Sequence, residues 1–299
     1  MEKIDRITGC ILGGALGDAL GHSFEGQQNP VIDFDQITWE FSDDTQLTLA
    51  TCEAIIEFGG KVDPAAIAAS FARWHKASRI TGMGASTLKA LTELSHGGHW
   101  ALVGAKGEYA AGSGAAMRIA PLAFCLDPSK RELRQLIRDV SRITHHNEEA
   151  YAGALAVVIA VRATFDGTWA GGDDLMQIVT SAIPDSRVRD RLLEFQQLGQ
   201  GISLIRVAKK FGGSGYVVDT VPLAILGAQR ASHQNFETVM TDLITAGGDT
   251  DTTASIAGQI IGTLIGPWSL PKWTIIDYET IVTTARVFAQ SLESRIHQQ

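Results

Sequence analysis

"AGGDTDTTASIAGQIIGTLIG", residues 246–266, sets two aspartates and three threonines directly behind a pair of glycines and then runs apolar to Gly266. The apolar spacing predicts a buried helix over 252–265, with Asp249 and Asp251 at its mouth. Aspartate and threonine are favoured caps and first-turn residues, so capping is one explanation. A bound cation is the other. The choice rests on whether another part of the chain offers matching ligands.

"FSDDT", residues 41–45, is that second part: Ser42, Asp43 and Asp44 precede a helix expected to start near Thr45. A cap needs one oxygen acceptor, whereas Asp249, Asp251 and Thr252 at one turn, and Ser42, Asp43 and Asp44 at the other, each supply three or more. Oxygen-only ligands suit Mg²⁺, Mn²⁺ or Ca²⁺ rather than zinc. If the two helix starts meet, four carboxylates crowd together, repel one another and rise in pKa. Two divalent ions about 4 Å apart would neutralise them and orient a water. A calcium loop of the EF-hand kind is excluded: counting from Asp249, the sixth residue is Ala254 where glycine is required, and the twelfth is Ile260 where glutamate is required.

The rest of the chain reads as helix. Gly9, Gly13, Gly17 and Gly21 recur every fourth residue and share one helix face, where a second backbone can approach. Glycine costs about 1 kcal/mol per helical position against alanine, so the stripe implies a packing role. Leu47, Thr51, Ala54, Ile55 and Phe58 mark an amphipathic helix ending at Gly59-Gly60, and Pro64 opens the next. Further helices are predicted at 86–94, 115–125, 129–143, 148–165, 172–182, 185–197, 201–210, 219–230, 235–245 and 277–296, with a long loop over 95–114. There is no sustained period-2 pattern, no repeat of fixed period and no low-complexity linker. The expectation is an all-α fold: a single compact orthogonal multi-helix domain over 1–299.

Composition narrows the function. The net charge is −8, and the densest basic segment, "SKRELRQLIRD" at 129–139, also carries Glu132 and Asp139. Nucleic-acid binding needs a basic footprint, so no nucleic-acid partner is expected. Cys10, Cys52 and Cys125 are far apart and odd in number, which fits a reducing cytoplasm rather than a disulfide framework. The N-terminus has cancelling charges and Asp18 interrupts its apolar part, so it is not read as a signal segment. The longest apolar run, "YAGALAVVIAV" at 151–161, is too short to span a bilayer, and no membrane partner is expected.

Four other places carry chemistry. "AGSGAAMR", 111–118, is a glycine-rich turn whose N–H groups suit a phosphate, although Met117 stands where a dinucleotide fingerprint needs glycine. "GGSGYVVDT", 212–220, is a second such turn, with Tyr216 able to stack on a base or to anchor the next helix. "THHNEEAYAG", 144–153, lacks the HExxH pattern, and its His145 is either a packed polar residue or a donor to phosphate or ribose. Glu25, bracketed by Gly21, Gly26 and Pro30, is either a surface glutamate or a lid carboxylate on a mobile loop.

Taken in order, these motifs resemble the ADP-ribosylglycohydrolase family, over roughly residues 5 to 265. "GCILGGALGDALGHSFEG" resembles its N-terminal helix and loop, "SDDT" and "GGDTDT" its two metal motifs. "GMGAST", "GSGAAMR", "THHNEEAYAG" and "GYVVDT" fall between them in the family's order. The resemblance implies an all-α fold, two Mg²⁺ or Mn²⁺ ions, and cleavage of the bond between ADP-ribose C1″ and a modified side chain. It implies Ser42, Asp43, Asp44, Asp249, Asp251 and Thr252 as metal ligands and Glu25 as the lid glutamate. Gly112, Ser113 and Gly114 would cradle the diphosphate beside Met117, His145 would lie against bound ADP-ribose, and Tyr216 near the adenosine end. Asp43 or Asp44 would serve as base for the attacking water, with Glu25 as acid or base. The partner implied is an ADP-ribosylated protein or ADP-ribose, with arginine linkage favoured and a monomer expected. Some arginine-directed members carry an acidic residue beside the segment matching 81–87, where this chain has Thr81 and Met83. Rival readings use the same residues: hydrolysis of another ADP-ribose linkage, serine or O-acetyl; ADP-ribose binding or occlusion of an ADP-ribosylating toxin's cleft without turnover; and metal-dependent phosphoester hydrolysis releasing AMP.

Overall fold

The computed structural model describes residues 1–28, 30–198 and 201–296. Among them are fourteen α-helices: α1 (Lys3–His22), α2 (Asp43–Glu57), α3 (Pro64–Lys76), α4 (Ala85–Ser95), α5 (Leu122–Cys125), α6 (Arg131–Arg142) and α7 (Glu148–Asp166). The second half adds α8 (Leu175–Ala182), α9 (Arg187–Gln196), α10 (Leu204–Phe211), α11 (Val217–Gln229), α12 (Phe236–Thr245), α13 (Thr250–Ile265) and α14 (Tyr278–Ile296). The one sheet is a parallel pair of two-residue strands, β1 (Ala105–Lys106) and β2 (His145–His146), in which Ala105 pairs with His145. The all-α expectation holds.

The centre is the antiparallel pair α1 and α13, and the glycine stripe explains it. A Cβ built on Gly9 would lie 2.2 Å from the carbonyl oxygen of Gly262, on Gly13 2.4 Å from that of Gly258, and on Gly17 2.2 Å from that of Ala254. The reverse holds too: a Cβ on Gly258 would meet the Gly13 oxygen at 2.2 Å. Real side chains do not approach so closely, so the two backbones touch directly. The contact runs on to Gly21, whose Cβ would meet the Thr250 oxygen at 2.5 Å. The C-terminal end of α1 therefore sits on the first turn of α13. Helices α7, α11 and α12 pack on α13, while α14 and α2 pack on each other and α14 also on α1.

Two expectations change. The helix predicted over 115–125 is a 3₁₀ turn at Ser113–Ala115, irregular chain, and then only the four residues of α5. Pro121 supplies no N–H and disfavours helix at the residue before it, so α5 starts behind it. The loop carrying Glu25 is also tied down: Gly26 N–H donates to Gly248 O at 2.9 Å, and Gly248 N–H to Gln27 O at 3.3 Å. No helix among the described residues is long and apolar enough to cross a membrane.

Candidate active site

The helix-cap explanation of the acidic turns can now be tested residue by residue. Helix α2 starts at Asp43, earlier than expected, with Ser42 as its N-cap: Ser42 Oγ accepts the N–H of Asp44 at 3.3 Å. Asp249 holds the N-cap position of α13 yet makes no side-chain cap bond. Its Oδ2 accepts instead from Ser113 Oγ and Thr220 Oγ1, each at 3.1 Å. Capping accounts for Ser42 and leaves the aspartates unexplained.

The two acidic turns meet. Thr252 Oγ1 donates to Asp44 Oδ2 at 3.2 Å, and Ser42 Oγ lies 3.2 Å from the same oxygen. Asp44 and Asp251 come together around a third aspartate that the motif reading did not include. Oxygens of Asp18, Asp44 and Asp251 all lie within 4.8 Å of one another. A second triple, His22, Glu25 and Asp251, meets the same limit and shares Asp251. Asp43 and Asp249 belong to neither triple; they stand on the wall of the cavity beside them.

Asp18 is fully buried near the C-terminal end of α1 and organises the start of α2. Its Oδ1 accepts from Ser42 N at 3.0 Å and lies 2.8 Å from Ser42 Oγ; its Oδ2 accepts from Thr45 N at 3.0 Å and Thr45 Oγ1 at 2.6 Å. The one sequence signal for it was an acid inside an otherwise apolar, glycine-striped helix. His22, also unassigned from sequence, places Nδ1 3.8 Å from Asp251, an ion-pair distance rather than a hydrogen bond.

The electrostatics follow from burial and crowding. Burial first, and the Asp251 charge second, push Asp18 up to about 6 and Asp249 up to about 7. Asp43 and Asp44 go well above the usual carboxylate range, by burial and then by neighbouring aspartates. Glu25 is raised as well, by desolvation and then Asp251. His22 is raised by its interaction with Asp251.

These residues fit divalent cations. The carboxylate donors are hard oxygens, and Asp44 Oδ1 is buried with no hydrogen-bond partner among the described residues. A buried acceptor left bare is costly in a protein interior unless something else supplies positive charge.

A cavity of about 290 Å³ opens beside the acids. Glu25, Asp43, Asp249, Asp251 and Thr252 line it together with Gly112, Ser113, Gly114, Met117 and His145. Ser113 N–H donates to Gly215 O at 3.0 Å and Val217 N–H to Ala111 O at 2.9 Å, which joins the two glycine-rich turns. Ser113 thus commits its N–H to Gly215 and its hydroxyl to Asp249. His145 is buried beneath the turn: a Cβ on Gly112 would lie 3.1 Å from its Nε2, and one on Gly114 3.0 Å from its Cε1. A side chain at either position would press on the His145 ring. Burial, then the Arg118 charge, lowers His145 to about 3, so its ring is neutral. Tyr216 pairs with Gly112 through its backbone, but its ring is off the cavity wall, with Oη 3.4 Å from Arg187.

Comparison with known proteins agrees with this geometry. A family profile described as ADP-ribosylglycohydrolase matches residues 1–297. The chain belongs to the ADP-ribosylglycohydrolase family. Membership makes it a glycosidic hydrolase of ADP-ribosylated substrates. The family's relatives include ADP-ribosylarginine hydrolase Tri1 of Pseudomonas putida, 26% identical over 91% of this chain and 74% of that one. ADP-ribosylhydrolase ARH3 of Danio rerio is 25% identical over 91% of this chain and 86% of that one. A solved ADP-ribosylglycohydrolase-related protein complex superposes with a TM-score of 0.76 at 24% identity, covering 97% of this chain and 99% of that one. That likeness bears on the fold.

Proposed function

We propose that this ADP-ribosylglycohydrolase removes ADP-ribose from modified protein side chains, arginine linkages first, by cleaving the C1″ glycosidic bond at a pair of Mg²⁺ or Mn²⁺ ions. The observation that carries the reading is the convergence of two remote acidic turns on one cavity that also holds a glycine turn and a buried, neutral histidine. Two triples of ligating side chains that share Asp251 support two adjacent cations. The acidic turns contribute Ser42, Asp43, Asp44, Asp249, Asp251 and Thr252 as ligands, and the triples add Asp18, His22 and Glu25 as candidates. When bound, the ions supply positive charge for the ribose hydroxyls and for an activated water.

The chain's own groups do the rest. Asp43 faces the cavity and takes the proton of the attacking water, with Asp44 the alternative base beside it. Glu25, exposed at the rim, holds a proton more readily than an ordinary glutamate and exchanges it with the leaving side chain. The carboxylates crowd negative charge near C1″, which favours an oxocarbenium-like transition state. Gly112, Ser113, Gly114, Met117 and His145 receive the diphosphate-ribose end, and Tyr216 borders it through its backbone. Arginine linkage is supported by the name of the Tri1 relative. A single domain over 1–299, a monomer and a cytoplasmic setting complete the reading; the cytoplasmic setting is supported by the three widely spaced cysteines.

Mass spectrometry of the products tests it. Arginine- and serine-ADP-ribosylated peptides are incubated with Mg²⁺, Mn²⁺ or chelator. The expected products are free ADP-ribose and the unmodified arginine peptide, in the metal arms alone. AMP as the product, or protection that persists in chelator without ADP-ribose release, overturns the proposal.

A further inference from the structure

Arg118 carries its guanidinium into the interior, fully buried, and none of its acceptors is a carboxylate. It donates to Gly114 O, to Thr144 Oγ1 at 2.9 Å and to Val140 O at 3.4 Å. Its guanidinium carbon lies 5.1 Å from the centre of the Phe71 ring, and its Nε has no partner among the described residues. Burial lowers its pKa to about 10, which leaves it charged at neutral pH. The Asp43 charge offsets part of that burial, but a buried guanidinium with no carboxylate among its hydrogen-bond acceptors is an expensive way to fill space, so the position calls for a reason.

The reason is directional. Arginine has donors and no acceptor, so Thr144 Oγ1 must accept from it. Among the described residues the hydroxyl's own hydrogen then has one acceptor in reach, His145 Nδ1 at 2.7 Å. With Nδ1 accepting, a neutral His145 keeps its hydrogen on Nε2. Nε2 is the atom that lies beneath Gly112. The other tautomer would bury the Thr144 hydrogen without an acceptor. The same guanidinium also turns the Gly114 carbonyl inward, away from the cavity.

We propose that Arg118 is a positioning residue: through Thr144 it fixes His145 as an Nε2–H donor, and through Gly114 it pins the glycine turn against which an oxygen-rich diphosphate-ribose group binds. The ligand half of this inference rests on the function proposed above; the relay itself does not.

Long-range ¹H–¹⁵N correlation spectra of the full chain read the His145 tautomer without any substrate. The expected wild-type result is a protonated Nε2 and a bare Nδ1; a protonated Nδ1 overturns the relay. In Arg118→Met both tautomers appear and ADP-ribose binding, by calorimetry, weakens at least about tenfold. Arg118→Lys, which keeps one donor, recovers part of the affinity. A folded Arg118→Met protein with the wild-type tautomer and affinity overturns the proposal. Should that variant not fold, Thr144→Val decides, since it removes only the relaying hydroxyl; retention of Nε2–H there also overturns it. A wild-type protein with Nε2–H in place that binds no ADP-ribose defeats the ligand assignment and leaves the relay standing.

Discussion

Thr252 Oγ1 donates to Asp44 Oδ2 at 3.2 Å, joining the first turns of two helices 208 residues apart in sequence. Both turns present the positive end of a helix dipole toward the same cluster of acids, which offsets part of their repulsion. The hydroxyl stands at the junction and orients a carboxylate whose other oxygen is bare. Thr252→Val removes that orientation at nearly constant volume. It should weaken Mn²⁺ binding by about tenfold, read by calorimetry, with the helical circular dichroism unchanged. Unaltered Mn²⁺ affinity would show that Thr252 neither ligates nor orients.

Metal-free stability should fall as pH rises. Asp18 at about 6 and Asp249 at about 7 sit above the value of about 4 that an aspartate has in an unfolded chain. Between those values the folded state binds more protons than the unfolded state, so the slope of unfolding free energy with pH is negative. The protonated cluster is intact below about pH 4, and its stabilisation is lost as pH climbs through about 6 to 7. In chelator the unfolding midpoint should be higher at about pH 5 than at about pH 7.5, and Mn²⁺ should restore it at the higher pH. Asp249→Asn should flatten the dependence. A chelated protein that gains stability over this interval contradicts the crowding described here.

Gly17→Ala sets helix propensity against packing. Propensity alone favours alanine by about 1 kcal/mol. The added methyl would stand 2.2 Å from the Ala254 carbonyl oxygen, and forcing such overpacking costs about 1–3 kcal/mol or more. Packing should win, with the thermal midpoint dropping by several degrees. A more stable Gly17→Ala protein would mean that the two helices part easily.

Gln46 holds the stretch of cavity wall that lies against Asp43. Its Oε1 accepts the Thr81 N–H at 2.7 Å, and its Nε2 donates to Thr81 Oγ1 at 3.0 Å and to Phe41 O at 3.2 Å. Next to Thr81, a Cβ on Gly82 would lie 3.6 Å from Asp43 Oδ1. Gln46→Leu frees that wall. Steady-state kinetics should show KM for a modified peptide rising about tenfold, as the loss of one to two net hydrogen bonds implies. Binding of free ADP-ribose should change little. Equal losses for both ligands would place Gln46 in general folding instead.

What the sequence disclosed tracks with periodicity. Gly9, Gly13, Gly17 and Gly21 repeat with the helix, and the paired acids flank apolar helix starts, so both were legible. Asp18 was not: it stands alone in the apolar part of α1, and its partners Ser42 and Thr45 lie 24 and 27 residues away. Arg118 sits at the end of a quoted motif, but nothing local says that its acceptors include Val140 and Thr144. The apolar composition of 115–125 suits a helix, but Pro121 interrupts it. Tyr216 offered a ring to the cavity on chemistry alone, and only the fold reveals that it turns toward Arg187.

The seam between α1 and α13 is built of main-chain atoms, so its spacing is set by atomic radii rather than by side-chain choice. A core of leucines and valines can drift by repacking over many substitutions; this seam has no shim to adjust. The segment bearing Asp18, His22 and Glu25 is thereby held at one fixed height against Asp251. The chemistry end of the molecule is insulated from sequence change elsewhere in its interior.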